Sequence, residues 1–270
     1  MADATDSAPV QWLASADALN DGSLSDDCVV ILPLGATEQH GQHLPLETDT
    51  LIARGVCERL AEQLKPEMPV FILPVEPVGY SPEHMDFAGS KTLNFDEAID
   101  RWIEIGHAVA RAGGRRFVML NAHGGNSPLM TIVAQELRVR HSLLAVATSW
   151  TRFVKGTGIV SEAEEAFGIH GGDIETSVML ALQPQSVDMD KARDFPNLQE
   201  ALALDFTHLR AYGPHAFGWK AADLNRIGVT GNAGLATAEK GTALLNQAVV
   251  GLAELIYDVA RFDLALLKDD

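Results

Sequence analysis

The sequence predicts a three-layer α/β/α sandwich with a mostly parallel central sheet, on the strength of three observations. Short apolar runs without polar alternation are typical of strands that are buried on both faces. These runs alternate along the chain with longer segments in which apolar residues recur every three or four positions, as in amphipathic helices. The chain has 270 residues, 47% of them hydrophobic and 21% charged, and this length suits one large domain with a substantial core.

Each element follows from its local pattern, in chain order. Residues 1–27 are acidic and rich in Ala and Ser, so we expect a partly disordered lead-in before a single domain at 28–270. Apolar, β-branched runs predict buried strands at 28–35, 70–75, 116–120 and 144–149. Apolar stripes, caps and terminating glycines predict helices at 50–64, 94–112, 127–140, 174–182 and from Thr237 onward.

The charge balance narrows the classes of partner. Lys and Arg number 20 against 37 Asp and Glu, which gives a net charge of −17. Phosphate contacts need clustered Lys and Arg, so we expect no binding to nucleic acid or to anionic membranes. The N-terminus lacks the basic and apolar segments of a secretory signal, and Cys28 and Cys57 belong to no CxxC pair. We therefore expect a cytoplasmic protein with buried, inert thiols.

Polar side chains follow the predicted strands at the point where each strand ends. Glu38, His40 and Asp49 come after the first strand, and His123 follows the third. The fourth strand and its loop are followed by His170, Asp173 and Glu175. Ligands of parallel sheets bind beyond the carboxyl ends of the strands, so these side chains are expected to converge.

This mixture of imidazole and carboxylate groups predicts a metal site. Divalent first-row metals prefer such ligands, and two metals bridged by one carboxylate need about this many. Taken singly, His40 or His123 is as readily a hydrogen-bonded loop histidine, and Glu38 a surface carboxylate. The set as a whole favours the metal site, because every member falls at a predicted strand end.

Five separated motifs carry a resemblance to a known family. They are GATEQHG at 35–41 with Thr48-Asp49, Glu83-His84 with Phe87 and Gly89, NAHGGN at 121–126, HGGDIETS at 170–177 and ATAEKG at 236–241. In this order and at these intervals they resemble the creatininase (creatinine amidohydrolase) family. The resemblance implies the same α/β/α fold, a two-metal hydrolase centre and a homo-oligomer, often a hexamer.

The resemblance also implies the metal ligands. Carried over position by position, Glu38 and His123 would bind one metal, His40 would bind the other, and Asp49 would bridge them. Creatininase proper has a further ligand, a Glu two residues after the histidine that matches His123, and this position is Gly125 here. Many family members share this Gly-Gly form. A carboxylate of the ETS motif would then complete the second metal, and we nominate Glu175, with Asp173 as the alternative.

The departures from the family pattern bear on the substrate. A creatinine-binding tryptophan of creatininase matches Trp150, but a second one, four residues before His170, is Ala166 here. The aromatic residue that follows the metal histidine is replaced by Gly124. We therefore expect a substrate other than creatinine, with contacts from Trp150 and from three residues of the strand-end loops, His84, Gly124 and Gly125.

Together these features predict a metal-dependent amidohydrolase. We expect it to cleave the C–N bond of a small or cyclic amide, a formamide or a peptide-like substrate, rather than an ordinary peptide bond, through a metal-bound hydroxide. The cofactors would be two divalent ions, Zn, Mn or Fe. His170 is the expected general acid and base because its unperturbed pKa lies near working pH, and Glu175 is its catalytic neighbour.

Two other functions fit parts of the pattern. A two-metal phosphoester hydrolase would use similar ligands, but phosphate substrates usually recruit Arg or Lys, and the site segments contain none. A non-catalytic oligomeric binding protein of the same fold has no need for four convergent polar groups, which are costly to bury. The sequence leaves open whether His43 supports a ligand or only packs. It also leaves open whether His215, Phe217 and Trp219 form a lid or an interface cluster.

Overall fold

The central sheet is entirely parallel in the computed structural model, which describes residues 10–268. Its strands in chain order are β1 Val10–Trp12, β2 Val29–Leu34, β3 Val70–Ile72, β4 Arg116–Asn121 and β5 Leu144–Ser149. Their order across the sheet is β1-β3-β2-β4-β5, and every neighbouring pair is parallel. All carboxyl ends therefore lie at one edge of the sheet, where the predicted site residues follow β2 and β4.

Helices connect these strands and follow them. They are α1 Thr48–Gln63, α2 Phe95–Arg111, α3 Ser127–His141, α4 Glu162–Phe167, α5 Asp173–Leu182, α6 Leu198–Asp205, α7 Ala221–Leu224 and α8 Ala238–Arg261. A two-stranded antiparallel ribbon pairs β6 Asp194–Phe195 with β7 Gly231–Asn232. The helices predicted from the periodicity all form, with ends within about two residues of the prediction.

Two apolar layers enclose the sheet because its side chains alternate between faces. Val29 and Ile31 of β2 point into a core shared with α1, α5 and α8. Val30 and Leu32 point into the opposite core, which α2 and α3 close with Trp102 and other fully buried side chains. The three-layer α/β/α prediction is confirmed.

The sheet begins earlier in the chain than the first predicted strand. Val10, Gln11 and Trp12 form β1 and pair with β3 at the sheet edge. A three-residue strand is too short to show an apolar run, which is why the sequence pattern did not predict it. The partly disordered lead-in was expected at residues 1–27. Of these, residues 1–9 lie outside the described residues, while Leu19 and Leu24 are buried in the core.

The last helix, α8, closes the fold. It is long and apolar enough to cross a membrane by length and composition, with a mean hydropathy of 1.3. In the structure it buries one face, which includes Leu244, Leu252 and Ile256, against α1 and α5. Gly241 lies directly on the backbone of Ser177 in α5, so the two helices approach as closely as backbone atoms allow.

Replacing Gly241 with alanine tests this contact. The new Cβ would overlap the carbonyl oxygen of Ser177, so α5 and α8 must separate. We expect Gly241→Ala to lower the free energy of unfolding by about 1–3 kcal/mol, although alanine favours a helix by about 1 kcal/mol over glycine. Urea unfolding measures the change. The exposed Asn246→Ala on the same helix is the matched control, and an equal effect of both variants would contradict the close approach.

Candidate metal centre and active-site cavity

Three connections of the fold deliver polar side chains to the carboxyl edge of the sheet. Glu38 and His40 lie in the loop after β2, and Asp49 lies in the first turn of α1. His123 follows β4, and Glu175 lies in the first turn of α5. The first four are 1–4% exposed, so a group of charges and imidazoles is enclosed where water cannot solvate it.

Asp49 lies between two histidines. Its Oδ1 atom is 3.3 Å from Nε2 of His40, and its Oδ2 atom is 3.6 Å from Nδ1 of His123. Glu38 Oε1 is 3.1 Å from Nδ1 of His123, and Glu175 Oε2 is 3.8 Å from Nε2 of His40. The result is two adjoining groups that share the Asp49 carboxylate.

The tautomers of the histidines are fixed by backbone carbonyls. One ring nitrogen of His40, of His123 and of His170 lies within hydrogen-bond distance of a carbonyl oxygen, which can only accept. The pairs are His40 Nδ1 to Glu38 O at 3.0 Å, His123 Nε2 to Tyr80 O at 3.0 Å and His170 Nε2 to Gln39 O at 2.6 Å. Each neutral ring therefore presents the lone pair of its other nitrogen to the carboxylates, the arrangement typical of metal-binding histidines.

The buried carboxylates create a demand for positive charge. Burial alone would lower the pKa of His40 and His123, but the neighbouring Asp49 and Glu38 raise the pKa of both imidazoles to about 10. Burial raises the pKa of Asp49, and it raises the pKa of Glu175 to about 7. The cluster is thus stabilised by bound cations, whether protons or metal ions.

Nε2 of His40 and Oδ2 of Asp49 are buried and have no hydrogen-bond partner. Within the described residues, three groups of side chains bring ligand atoms within 4.8 Å of one another. They are Glu38 with His40 and His170, Glu38 with Glu83 and His123, and His40 with Asp49 and Glu175. These groups are able to hold a metal ion, and the unpartnered atoms lie among them.

The structure distinguishes Glu175 from Asp173. Asp173 accepts hydrogen bonds from Lys240 Nζ at 2.5 Å and from Ser177 Oγ at 2.9 Å, so its carboxylate is occupied at the interface with α8. Glu175 lies two residues further along α5 and faces His40, while its Oε2 accepts a hydrogen bond from the backbone N–H of Gly171 at 2.6 Å.

A buried carboxylate positions the segment that carries His170 and Glu175. Glu164 of α4 is 3% exposed, and its two oxygens accept hydrogen bonds from the backbone N–H groups of Ile174 at 3.3 Å and Asn232 at 2.8 Å. Any side chain on the three glycines packed against this carboxylate would collide with it; they are Gly168, Gly172 and Gly231. No local sequence signal marks Glu164, because its partners are backbone groups from distant segments.

A cavity of about 470 Å³ opens beside the cluster. On the side of the cluster its lining includes Glu38, His123 and His170. The aromatic residues of the lining are Tyr80, Tyr212 and Trp219, and further lining residues are Glu83, Ile169 and Leu224. The cavity brings a substrate-sized space next to the candidate metal ligands.

The predicted substrate contacts divide into two sets. His84, Gly124 and Gly125 line the cavity, whereas Trp150 does not. Trp150 is 1% exposed and belongs to the apolar core beneath α8, because the turn after β5 directs its ring inward. A Cβ atom on Gly124 would meet nothing, but one on Gly125 would lie 2.5 Å from His123 Nε2 and Tyr80 O, so position 125 requires glycine.

Three histidines of the loops surround the cluster. The ring of His84 lies 4.2 Å from that of His170, and its Nε2 is 3.6 Å from Glu38 Oε1. Burial lowers the pKa of His84 to about 4, and burial together with His40 and His84 lowers the pKa of His170. His43 Nε2 lies 2.9 Å from the carbonyl oxygen of Gly171, which connects the loop after β2 to the start of α5.

Sequence reasoning left several cavity residues without a role. Glu83 was placed in the correct loop but had no assigned contact; its Oε1 lies 3.4 Å from Nε2 of His123. Tyr80 was missed, although it precedes Glu83 by three residues. Tyr212 was also missed, because it lies in an irregular segment without periodicity. In the same segment Trp219 lines the cavity, whereas His215 does not.

Comparisons with known proteins identify the family of the chain. A family model described as Creatininase, creatinine amidohydrolase, matches residues 14–256. A creatinine amidohydrolase of Pseudomonas putida is 31% identical over 247 residues, which cover 85% of this chain and 89% of that protein. The mycofactocin precursor peptide peptidase of Mycobacterium ulcerans (strain Agy99) is 32% identical over 228 residues, 82% of this chain and 81% of that protein.

A solved structure described as Creatininase Mn aligns with a TM-score of 0.70 at 30% identity, covering 87% of this chain and 92% of that chain. The family model spans most of the sequence, and both the relatives and the solved structure are covered along most of their length. The resemblance predicted from the five motifs is confirmed, and the chain belongs to the creatininase family of amidohydrolases.

Proposed function

We propose that the protein is a metal-dependent amidohydrolase that cleaves the C–N bond of an amide, a formamide or a peptide-like substrate at a centre of two divalent ions. The observation that carries the proposal is the position of Asp49. Each of its two oxygens faces the lone-pair nitrogen of a different histidine, His40 or His123. A carboxylate placed in this way suits a bridge between two ions.

The spacing of the side chains fits such ions. Two ligands about 2.1 Å from one metal lie roughly 3.0–3.4 Å apart at octahedral or tetrahedral angles. The nitrogen-to-oxygen distances between the histidines and carboxylates are 3.1, 3.3, 3.6 and 3.8 Å. The two shorter distances match the spacing of ligands on a shared metal, and the two longer ones exceed hydrogen-bond length, so those atoms lie near one another without bonding. The unpartnered atoms of His40 and Asp49 support the same fit.

The proposed ligands follow from this fit. Glu38 and His123 would hold one ion, His40 and Glu175 would hold the other, and Asp49 would lie between the two. Divalent Zn, Mn or Fe suits this mixture of imidazole and carboxylate, and such ions supply Lewis-acid polarisation of the amide carbonyl and acidify water. Ser81 donates a hydrogen bond to Glu38, and Gly171 donates one to Glu175, so both carboxylates are oriented by neighbours.

His170 is the proposed general acid and base. Its Nε2–H is held by the Gln39 carbonyl, and its Nδ1 lies 3.6 Å from Glu38 Oε1, facing the cavity beside the ligands. The lowered pKa leaves Nδ1 free to accept a proton from the attacking water, and the same atom then delivers it to the departing nitrogen. The exposed backbone at Gly124 lets a substrate approach the loop after β4 closely.

The cavity favours amide hydrolysis over the phosphoester alternative. No Lys or Arg from residues 10–268 lines it, so an anionic phosphate would have no positively charged side chain to bind. In a protein that only binds a ligand, nothing would explain the free-energy cost of burying these charged groups. A cytoplasmic location and a homo-oligomer, such as a hexamer, belong to the same proposal.

Substituting Asp49 tests the bridge. Asn keeps the shape of Asp but loses the charge and one ligand oxygen, so we expect Asp49→Asn to lose both metals and all hydrolysis. Metal analysis of the purified protein measures the first result. The increase in melting temperature on adding metal should also disappear, whereas the metal-free variant should melt no lower than the metal-free wild type.

The matched control for this test is the exposed Asp258→Asn, whose side chain pairs with Arg261 on the same helix. It should retain two metals per chain and full activity. An Asp49→Asn protein with an unchanged metal content would contradict the bridging role.

Substituting His170 tests the proton-transfer role. We expect His170→Ala to retain its metals and to lower kcat by about 100-fold or more, as loss of a general acid and base does. Steady-state kinetics on whichever member of a panel of formamides, cyclic amides and short peptides is hydrolysed measures the loss. The exposed His208→Ala is the control. Loss of metal from His170→Ala would instead make His170 a ligand, and unchanged turnover would remove it from the mechanism.

A further inference from the structure

We propose that the cavity selects amides that carry a planar apolar group with no negative charge, and that Glu83 is the residue that sets this charge preference. The proposal rests on the proposed amide hydrolysis and names its substrate class. Substrates with an uncharged or a cationic aromatic substituent should bind, and those with a carboxylate or phosphate should be rejected.

The aromatic walls carry the first part of this inference. Tyr212 Oη donates a hydrogen bond to the carbonyl of Ala166 at 2.8 Å, and Trp219 Nε1 donates one to the carbonyl of Ala211 at 2.7 Å. The polar atoms of both side chains are therefore bound to backbone carbonyls, so a ligand would contact the apolar carbon atoms of the rings. With Ile169 and Leu224 beside them, they make a surface suited to a flat apolar group.

The size of the cavity also indicates a substituent of this kind. About 470 Å³ lies within the range of roughly 300–1,000 Å³ that is typical of sites for drug-sized ligands. An amide of a few heavy atoms at the metal ligands would leave most of this space to water. A substrate with an aromatic group would fill it and bury the apolar walls.

The second part of the proposal, the rejection of negatively charged substrates, rests on the charges of the residues that line the cavity. Glu38 and Glu83 supply the carboxylates of the lining, and among the described residues no Lys or Arg accompanies them. Lys220, next in sequence to Trp219, is held by both oxygens of Asp86 at 3.1 and 3.0 Å. An anionic substituent that lies away from the proposed ions, among the aromatic and apolar residues, would therefore lose its water without gaining a cationic side chain.

Glu83 is the carboxylate best placed to act on a substrate. Its Oε1 faces Nε2 of His123, whereas Asp49 and Glu38 face Nδ1 of the same ring, so Glu83 lies on the opposite side of His123 from Asp49. A Cβ atom on Gly125 would lie 2.7 Å from this oxygen, so the missing side chain at Gly125 leaves room for the Glu83 carboxylate beside the loop.

Three ligands with a common acetanilide core test the proposal. Acetanilide, 4-acetamidobenzylamine and 4-acetamidobenzoate share one amide and one ring and differ in charge. Isothermal titration of the metal-loaded protein should give Kd values at least tenfold lower for the neutral and cationic ligands than for the anionic one. Glu83→Gln should reduce the discrimination against 4-acetamidobenzoate, measured as the ratio of its Kd to that of acetanilide, at least threefold. Trp219→Ala should weaken all three ligands by similar factors.

Controls separate the possible failures. The exposed Glu67→Gln should keep the wild-type order, and Glu83→Asp retains the charge and should keep most of the discrimination if the Gln variant folds poorly. Equal binding of the three ligands, no binding of any of them, or an unchanged ratio in Glu83→Gln would overturn the proposal. Binding in the expected order without hydrolysis of any amide in the wider panel would count against the proposed function alone.

Discussion

Three carboxylates meet at the carboxyl edge of the sheet, Glu38 and Asp49 buried and Glu175 16% exposed, and their mutual repulsion is the constraint that the surrounding groups must offset. The repulsion raises the affinity of the site for any cation, and it is tolerated only because His40 and His123 are held in fixed orientations between the acids. The orientation comes from backbone carbonyls, which a side-chain substitution elsewhere does not remove. The loops at the ends of the parallel strands thus contain both the carboxylates and the backbone carbonyls that orient the histidines.

The support for Glu175 is of a different kind, because α5 has no strand immediately before it. Its first turn is fixed from two sides: Glu164 accepts the backbone N–H of Ile174, and Lys240 of α8 binds Asp173. The carboxylates of Glu164 and Asp173 therefore keep the helix in place, while Glu175 between them faces the cluster. Each acid near the start of α5 thus has its own partner: Glu164 binds backbone N–H groups, Asp173 binds Lys240, and Glu175 faces His40.

The sequence predicted the parts of this arrangement that depend on local pattern. The strands and helices follow from apolar periodicity, and the ligand candidates Glu38, His40 and His123 follow from their position after strands. Trp150 was expected at the substrate on the basis of family resemblance, yet its ring lies in the core, because side-chain direction depends on packing. Tyr212, Trp219 and Glu164 act through contacts between segments far apart in the chain, and such contacts leave no signal in a single sequence.

The close approach of Gly241 to Ser177 has a consequence for the order in which the protein can be assembled. The strands that precede Glu38, His40 and His123 are all synthesised before residue 150, but α5 gains its partner only when α8 has left the ribosome. A nascent chain would hold most of the ligands in place and lack the support for the last one. Full occupancy of the proposed two-metal centre would thus require the complete α8.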